Sequence, residues 1–418
     1  MQSLQWKLAV LADAARYDAS CAISVAGAAN ASPAELGIYE STGPECRRLS
    51  LLKILLTNEC VFDCGYCVNR RSSDVVRARF TPDEVVALTL DYHRRRLIDG
   101  LFLSSGLVES PDVTMEQLVT VARSLRRTHH YFGYIHLKTI PDCSAELIDE
   151  AGRWADRLSV NIEMPRQADL DRYAPEKNLV AITRSMTVIR DRISEDDRVH
   201  RHLSDAPNAG LSAHHRFRGT GRFAPAGQTT QMIIGASDAT DAEVLFAAAS
   251  LYGRQNLRRI YYSAYVPVPA ASSGLPEDAP PLMRERRLYQ ADWLMRDYGF
   301  SPGDLAPPGA ENLDLSVEPK LAWALRNPHR FPVDVNRAPK TELLRVPGFG
   351  RRTVDAVLEM RRRSRVHVAD LGAMRVPLGR ALPFVIAEDH RPRPLPSGIL
   401  MLEDPRERWQ QLELFSNP

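Results

Sequence analysis

The stretch LLKILLTNECVFDCGYCVNRR, residues 51–71, runs from an apolar segment into a polar loop that holds Cys60, Cys64 and Cys67. An apolar run as short as LLKILLT (51–57) suits a strand covered on both faces. Downstream, β-rich runs keep alternating with amphipathic helical periodicity. TPDEVVALTLDYHRRR (81–96), with Thr81 as its cap, precedes GLFLSS (100–105); a helix over 114–127 precedes GYIHLKTI (133–140). A helix over 144–154, RLSVNIEM (157–164), a helix over 175–194, TTQMIIG (229–235), a helix over 240–256 and IYYSAY (260–265) complete the series. Strands alternating with such helices predict a parallel sheet joined by right-handed crossovers, and six units predict an α/β fold, a partial (β/α)6 barrel of the TIM type. Ligands gather at the carboxyl ends of such strands. The loops after Thr57, Ser105, Ile140, Met164 and Gly235 are therefore where chemistry is expected.

A chain of 418 residues exceeds what one core usually organises. The reading is an N-terminal extension over 1–48 (one helix at 2–16, then small-residue loop), the barrel over 49–300, and a Pro- and Gly-rich link over 301–332 with a helical piece near 318–326. A small all-α module follows over 333–387, then an extended tail over 388–418. Helix 282–298, with Trp293, Leu294 and Tyr298 on its apolar side, is expected to pack on the barrel. Apolar residues make up 44% and charged ones 25%, ordinary globular values. Neither a secretory leader nor a long uncharged apolar run is found, which predicts a cytoplasmic protein with no membrane partner. The net charge of +2 points to no partner, because 54 basic and 52 acidic residues nearly cancel.

Six cysteines, at 21, 46, 60, 64, 67 and 143, are too few and too unevenly spaced for a disulfide scaffold in a chain this long. They favour thiol or metal chemistry in a reducing compartment. Closely spaced thiolates after a strand can hold three irons of a cubane cluster, or half of a zinc site completed by Cys21, Cys46 or Cys143. Cys21 and Cys46 also read as buried thiols. The segment 196–228 carries His200, His202, His214, His215 and several arginines beside the expected mouth. It reads as an anion-attracting lid or as a solvated loop.

The C-x3-C-x2-C spacing, with Tyr66 before the last cysteine and a barrel strand before the first, resembles the signature of the radical S-adenosylmethionine superfamily. The resemblance implies that Cys60, Cys64 and Cys67 hold a [4Fe-4S] cluster whose fourth iron chelates S-adenosylmethionine. An electron delivered to the sulfonium would then release a 5′-deoxyadenosyl radical that abstracts hydrogen, with a flavodoxin or ferredoxin as electron donor. It further implies cofactor contacts from Tyr66 and from Ser104, Ser105 and Gly106, where this chain has SSG followed by Leu107 instead of the superfamily's GGE triplet. Contacts are also implied from Lys138 at the end of the third strand and from Asn161 and Glu163 on the fourth. Residues two apart on a strand share a face, so Asn161 and Glu163 are expected to point inward, with Lys138 or a cofactor hydroxyl as the partner of the carboxylate. A plain internal Lys–Glu pair fits the same residues. Gly235, in QMIIGASDATDAEVL, matches the motif that packs on adenine, and equally fits a strand-ending turn.

VDVNRAPKTELLRVPGFGRRTVDAVLEMRRR (333–363) resembles a helix-hairpin-helix motif: a helix over 339–345, a turn over 347–350 and a helix over 351–363. Gly348 and Gly350, flanking Phe349, let backbone N–H groups open toward an anion at a helix start, with Arg351, Arg352 and Thr353 alongside. Residues 333–380 hold eleven Lys/Arg and five Asp/Glu, a local charge of 11 − 5 = +6. VADLGAMRVPLGRALPFV (368–385) resembles a degenerate second copy that pairs with the first. Such a clamp grips nucleic-acid backbone and reads sequence poorly; a protein-binding or purely structural hairpin is the other reading. Over residues 1–390 the chain is similar to a family of DNA modification or repair radical S-adenosylmethionine proteins, often encoded beside a uracil-DNA-glycosylase-like protein. The resemblance implies hydrogen abstraction from a DNA substrate, with that glycosylase-like protein as a partner. An RNA-modifying enzyme of the same superfamily, and a non-catalytic Fe–S DNA-binding partner of a glycosylase, fit the same residues.

Overall fold

The computed structural model describes residues 2–16, 37–42, 48–204, 221–268 and 274–392. Cys21, Cys46, His214, His215, the side chain of His202 and the tail from 393 onward lie outside the described residues. The chain divides into two compact units, Met1–Ala239 with Ser250–Pro280 and Thr240–Ala249 with Pro281–Pro418.

The first unit is built on a seven-stranded sheet in the order β1-β2-β3-β4-β5-β6-β7. Helix α1 (Leu4–Ala15) precedes β1 (Ile38–Thr42) and β2 (Arg48–Leu55); α2 (Pro82–Arg94) leads to β3 (Gly100–Ser104), and α3 (Pro111–Arg123) to β4 (Tyr134–Lys138). Then come α4 (Ala145–Trp154), β5 (Arg157–Ser159), α5 (Gln167–Tyr173), α6 (Leu179–Ser204), β6 (Gln228–Ile234), α7 (Asp241–Gln255) and β7 (Arg259–Ala264). Strands β2 to β7 are all parallel and sequential. Sequential order excludes a doubly wound sheet, whose order reverses at a switch point, and is the connectivity of a partial (β/α)6 barrel. The helices start where their sequences specify. Thr81 and Glu84 form a reciprocal capping box at α2, and Ser110 caps α3 ahead of Pro111.

Several elements differ from the sequence reading. β1 adds an antiparallel strand before β2 within what reads as loop. The helix expected over 175–194 is α6, which starts at Leu179 and runs on to Ser204, so the first part of the histidine-rich segment is helix; a further helix, α5, precedes it where none was expected. Ion pairs such as Arg192–Glu195 (3.1 Å) support that polar end where no apolar stripe exists. Arg222 pairs with Asp196 and Asp197, so this arginine is not held open for an anion.

The second unit contains α8 (Leu282–Tyr298), α9 (Pro302–Leu305), α10 (Pro319–Arg326), β8 (Val333–Asp334), α11 (Lys340–Leu343), α12 (Arg351–Met360), α13 (Val368–Ala373), α14 (Leu378–Ala381) and β9 (Val385–Ile386). Residues 301–332 take part in its core instead of standing as a link. Trp323 packs edge-on to Phe300, and Arg345 stacks over both rings at 4.7 and 4.2 Å from their centroids. Trp293 is 42% exposed, contrary to the apolar side expected for it, while Leu288, Tyr289, Ala291 and Leu294 supply the buried face of α8. Among the described residues no helix is long and apolar enough to cross a membrane.

Candidate functional site

The register of the sheet divides its side chains by chemistry. One face carries Leu52, Ile54, Leu101, Leu103, Ile135, Leu137, Leu158 and Ile260, all buried. The other face mixes Leu51, Leu55, Phe102 and Tyr134 with Lys53, His136, Arg157 and, toward the carboxyl ends, Ser104, Lys138, Ser159, Thr229 and Gln231. A barrel that only needed a core would fill this face with apolar side chains. Lys53 is 1% exposed, with Nζ 4.2 Å from the Tyr39 ring centroid. His136 Nε2 lies 2.9 Å from Ser159 Oγ, and the buried Thr229 hydroxyl has no hydrogen-bond partner among the described residues. Buried polar groups carry this cost where they serve a ligand or one another.

The three thiols sit on the loop leaving β2, at the carboxyl end of the sheet. That loop is held mainly by its backbone. Asn58 clips the far side, accepting from the Ala78 N–H and donating to Val76 O (both 2.8 Å). The Arg77 guanidinium donates to the carbonyls of Asn58, Asn69 (2.9 Å), Arg70 (2.6 Å) and Ser73 (2.9 Å), so one side chain gathers both ends of the loop. Gly65 N–H donates to Tyr173 O (2.7 Å), and Asp63 N–H to Glu176 (3.0 Å), which ties the loop to the break between α5 and α6. The Gly106 N–H donates to Thr57 O (2.7 Å), and a Cβ at 106 would overlap the Glu59 carbonyl. Gly106 thus allows close approach of two loops, and its N–H is spent on the protein. Ser104 is fully buried, and Ser105 Oγ donates to Gly106 O (2.7 Å).

Each thiol lies within electrostatic reach of the other two. Burial pushes the Cys64 thiol up to about 12; Lys177 opposes this, and Cys67, Glu163 and Cys60 add to it. Cys67 is raised by burial as well, with Cys60 and Glu163 adding to the shift. A cation bound there would reverse that balance, because metal ligation deprotonates thiols. Cys143 is a separate buried thiol whose charged neighbours are Asp112 and Asp142. Among the described residues no three His, Cys, Asp or Glu side chains are grouped as ligands of a single metal ion. The three thiols share one loop, and no fourth cysteine joins them among the described residues.

Glu163 is where the structure departs most from the sequence reading. From Ser159, opposite Thr229, to Glu163, bridged to Met232, the chain takes one more residue than β6 does. This is a bulge, and Glu163 sits at its end with φ of 65°. The regular strand therefore stops at Ser159. Asn161 keeps the polar face and donates to Gln231 Oε1 (3.3 Å), whereas Glu163 pairs with Lys177. Lys177 Nζ lies 2.9 Å from Glu163 Oε1 and 3.3 Å from Tyr66 OH. Burial alone would lower Lys177; Glu163, Tyr66 and Cys64 together outweigh it and hold the ammonium well above its usual range. Tyr66 is raised by burial and by Glu163. Lys177 went unrecognised in sequence because it lies in the break between α5 and α6, where the first turn of a helix was expected. Gly235 has φ of 80°, and Pro280 occupies the space a Cβ would need (2.6 Å).

In the second unit, α11, the turn and α12 form one helical hairpin, and α13 and α14 a second. Gly348 has φ of 81° and faces Pro377 of the second hairpin, 3.1 Å from where its Cβ would lie. There Arg375, with φ of 60°, makes the corresponding turn without glycine. Gly350 caps α12, Phe349 is buried, and its carbonyl accepts from Lys320 Nζ (2.6 Å). Burial lowers Lys320 to about 7. The +6 charge is locally answered at many positions: Arg351 by Asp297 (2.6 Å), Lys340 by Asp355 (2.6 Å), and Arg380 by Glu318. Arg352, Thr353 and the open N–H groups of the first turn of α12 flank the hairpin, and among the described residues Arg352 makes no ion pair.

No family model and no curated protein matches the chain. Solved structures similar to it include HydG, a maturase of the [FeFe]-hydrogenase, at 15% identity over 58% of this chain and 48% of that one, with a TM-score of 0.39. HydG from Carboxydothermus hydrogenoformans aligns at 14% identity over 58% and 50%, with a TM-score of 0.40. Methylornithine synthase (PylB) aligns at 10% identity over 57% and 60%, with a TM-score of 0.41. The chain spans about half the length of the two HydG chains, 48% and 50%.

Proposed function

We propose that this chain is a radical S-adenosylmethionine enzyme acting on nucleic acid, DNA in the first instance. In this reading Cys60, Cys64 and Cys67 hold a [4Fe-4S] cluster with S-adenosylmethionine beside it. The observation that carries the proposal is the trio of mutually coupled thiols on one loop at the carboxyl end of a partial barrel with a polar face. When bound, the cluster and S-adenosylmethionine together supply a carbon radical able to abstract hydrogen.

The chain's own residues do the rest. Arg77 and Asn58 fix the loop so that the thiols are presented together. Lys177 neutralises Glu163 and adds positive charge beside the sulfurs, favouring thiolates. Asn161, Gln231 and the Thr229 hydroxyl offer polar contacts on the inner face. The open N–H groups of α12, with Arg352, take phosphate. An electron donor of the flavodoxin or ferredoxin kind and a glycosylase-like DNA protein are the partners this reading calls for.

The test separates the two halves. Cys64→Ala should abolish iron and sulfide incorporation during anaerobic reconstitution while DNA binding persists. Gly348→Val with Gly350→Val should abolish DNA binding while the cluster assembles. Normal iron content in Cys64→Ala would refute the cluster assignment, and undiminished binding in the double variant would refute the clamp.

A further inference from the structure

We propose that the exposed face of α8 is a stacking platform for an unpaired nucleotide, with Trp293 as the ring and Arg286 and Arg352 as its phosphate contacts. The inference rests on reading the helical hairpin as a nucleic-acid clamp, and it names the polymer's form as single-stranded.

A lone exposed apolar side chain means little. Trp293 is not alone. It leaves the buried side of α8 to Leu288, Tyr289, Ala291 and Leu294, and is 42% exposed on the opposite side. Arg286 is seven residues earlier on the same side, about 10 Å along the axis, also exposed and in no ion pair among the described residues. Asp297, one turn later, is on that side as well, and its carboxylate takes Arg351 at 2.6 Å. Tyr298 OH lies 4.0 Å from where a Cβ of Gly350 would stand, so the end of α8 abuts the start of α12. The order along the surface is therefore an arginine, a tryptophan, the neutral Asp297–Arg351 pair and an open helix N-terminus beside Arg352.

The acidic groups nearby do not oppose an anion. Asp292 is buried and taken by Arg296 (2.8 Å), and Asp297 is taken by Arg351. Alternating cations and an exposed aromatic ring suit single strands, whose bases offer free faces for stacking, whereas a duplex keeps its faces covered.

The test uses the full chain and a fluorescently labelled twelve-nucleotide DNA, single-stranded or annealed, by anisotropy at one fixed salt concentration. Trp293→Ala should weaken single-strand binding about tenfold and duplex binding less than about twofold, with Trp293→Phe retaining most of the affinity. Equal losses on both forms, or no loss on either, overturn the platform. In either case Arg352→Ala still reports on the clamp, which stands if that variant weakens both forms. Wild-type protein that binds neither form would overturn clamp and platform together.

Discussion

The ion pair between Lys177 and Glu163 concentrates the energetics of the site, because both side chains are mostly shielded, at 18% and 9% exposed. Removing one partner strands the other charge. Lys177→Met should lower stability by about 3 kcal/mol in denaturant unfolding, and adding Glu163→Leu should recover at least half of that loss. No recovery would mean that the lysine acts through something other than this pair. Lys320 makes a second prediction, in pH. Its folded pKa, about 7, lies below that of an unfolded lysine, so between the two values the unfolded chain binds more protons and stability rises with pH. The thermal midpoint of the second unit should climb from about pH 7 toward pH 10, and Lys320→Met should remove that rise. Sequence reveals residues like these only in part. The three cysteines and Tyr66 declare themselves by spacing. The partner of Glu163 does not, because Glu163 sits at a one-residue bulge with a left-handed φ and pairs with Lys177, and neither feature leaves a mark in hydrophobic periodicity.

Among elements, the cysteine loop shows how contacts to backbone hold three thiols on one loop. Arg77 supplies donors to four loop carbonyls that no shorter or single-pronged side chain could reach together. Arg77→Lys should therefore behave much like Arg77→Ala, with iron per chain after anaerobic reconstitution falling at least about twofold although all three thiols remain. Iron at the wild-type level in both would contradict this role. Gly106→Ala should have a similar effect, since its methyl group would meet the Glu59 carbonyl. The strands and most helices were legible because each carries a face: apolar runs for β2 to β4, a capping box for α2. Element ends were less so. Polar i,i+3 and i,i+4 pairs extend α6 to Ser204 beyond the last apolar stripe, and α6 starts at Leu179, after the position 175 from which a helix is read.

At the scale of the molecule, regular alternation of strand and helix made the order of β2 to β7 readable, since sequential parallel strands follow from it. β1 was not readable, being a short antiparallel strand whose partner comes after it in the chain. Nor was the role of residues 301–332, because their Pro and Gly content hides the aromatic packing of Phe300, Trp323 and Arg345. The two units are proposed to divide the work, one holding a cluster and the other a polymer. The most direct measurement is the yield of 5′-deoxyadenosine when protein reconstituted without oxygen is given S-adenosylmethionine and dithionite. The account predicts production that needs the cluster and vanishes in Cys60→Ala, Cys64→Ala and Cys67→Ala alike. A chain that binds iron yet forms none, under any reductant, contradicts it.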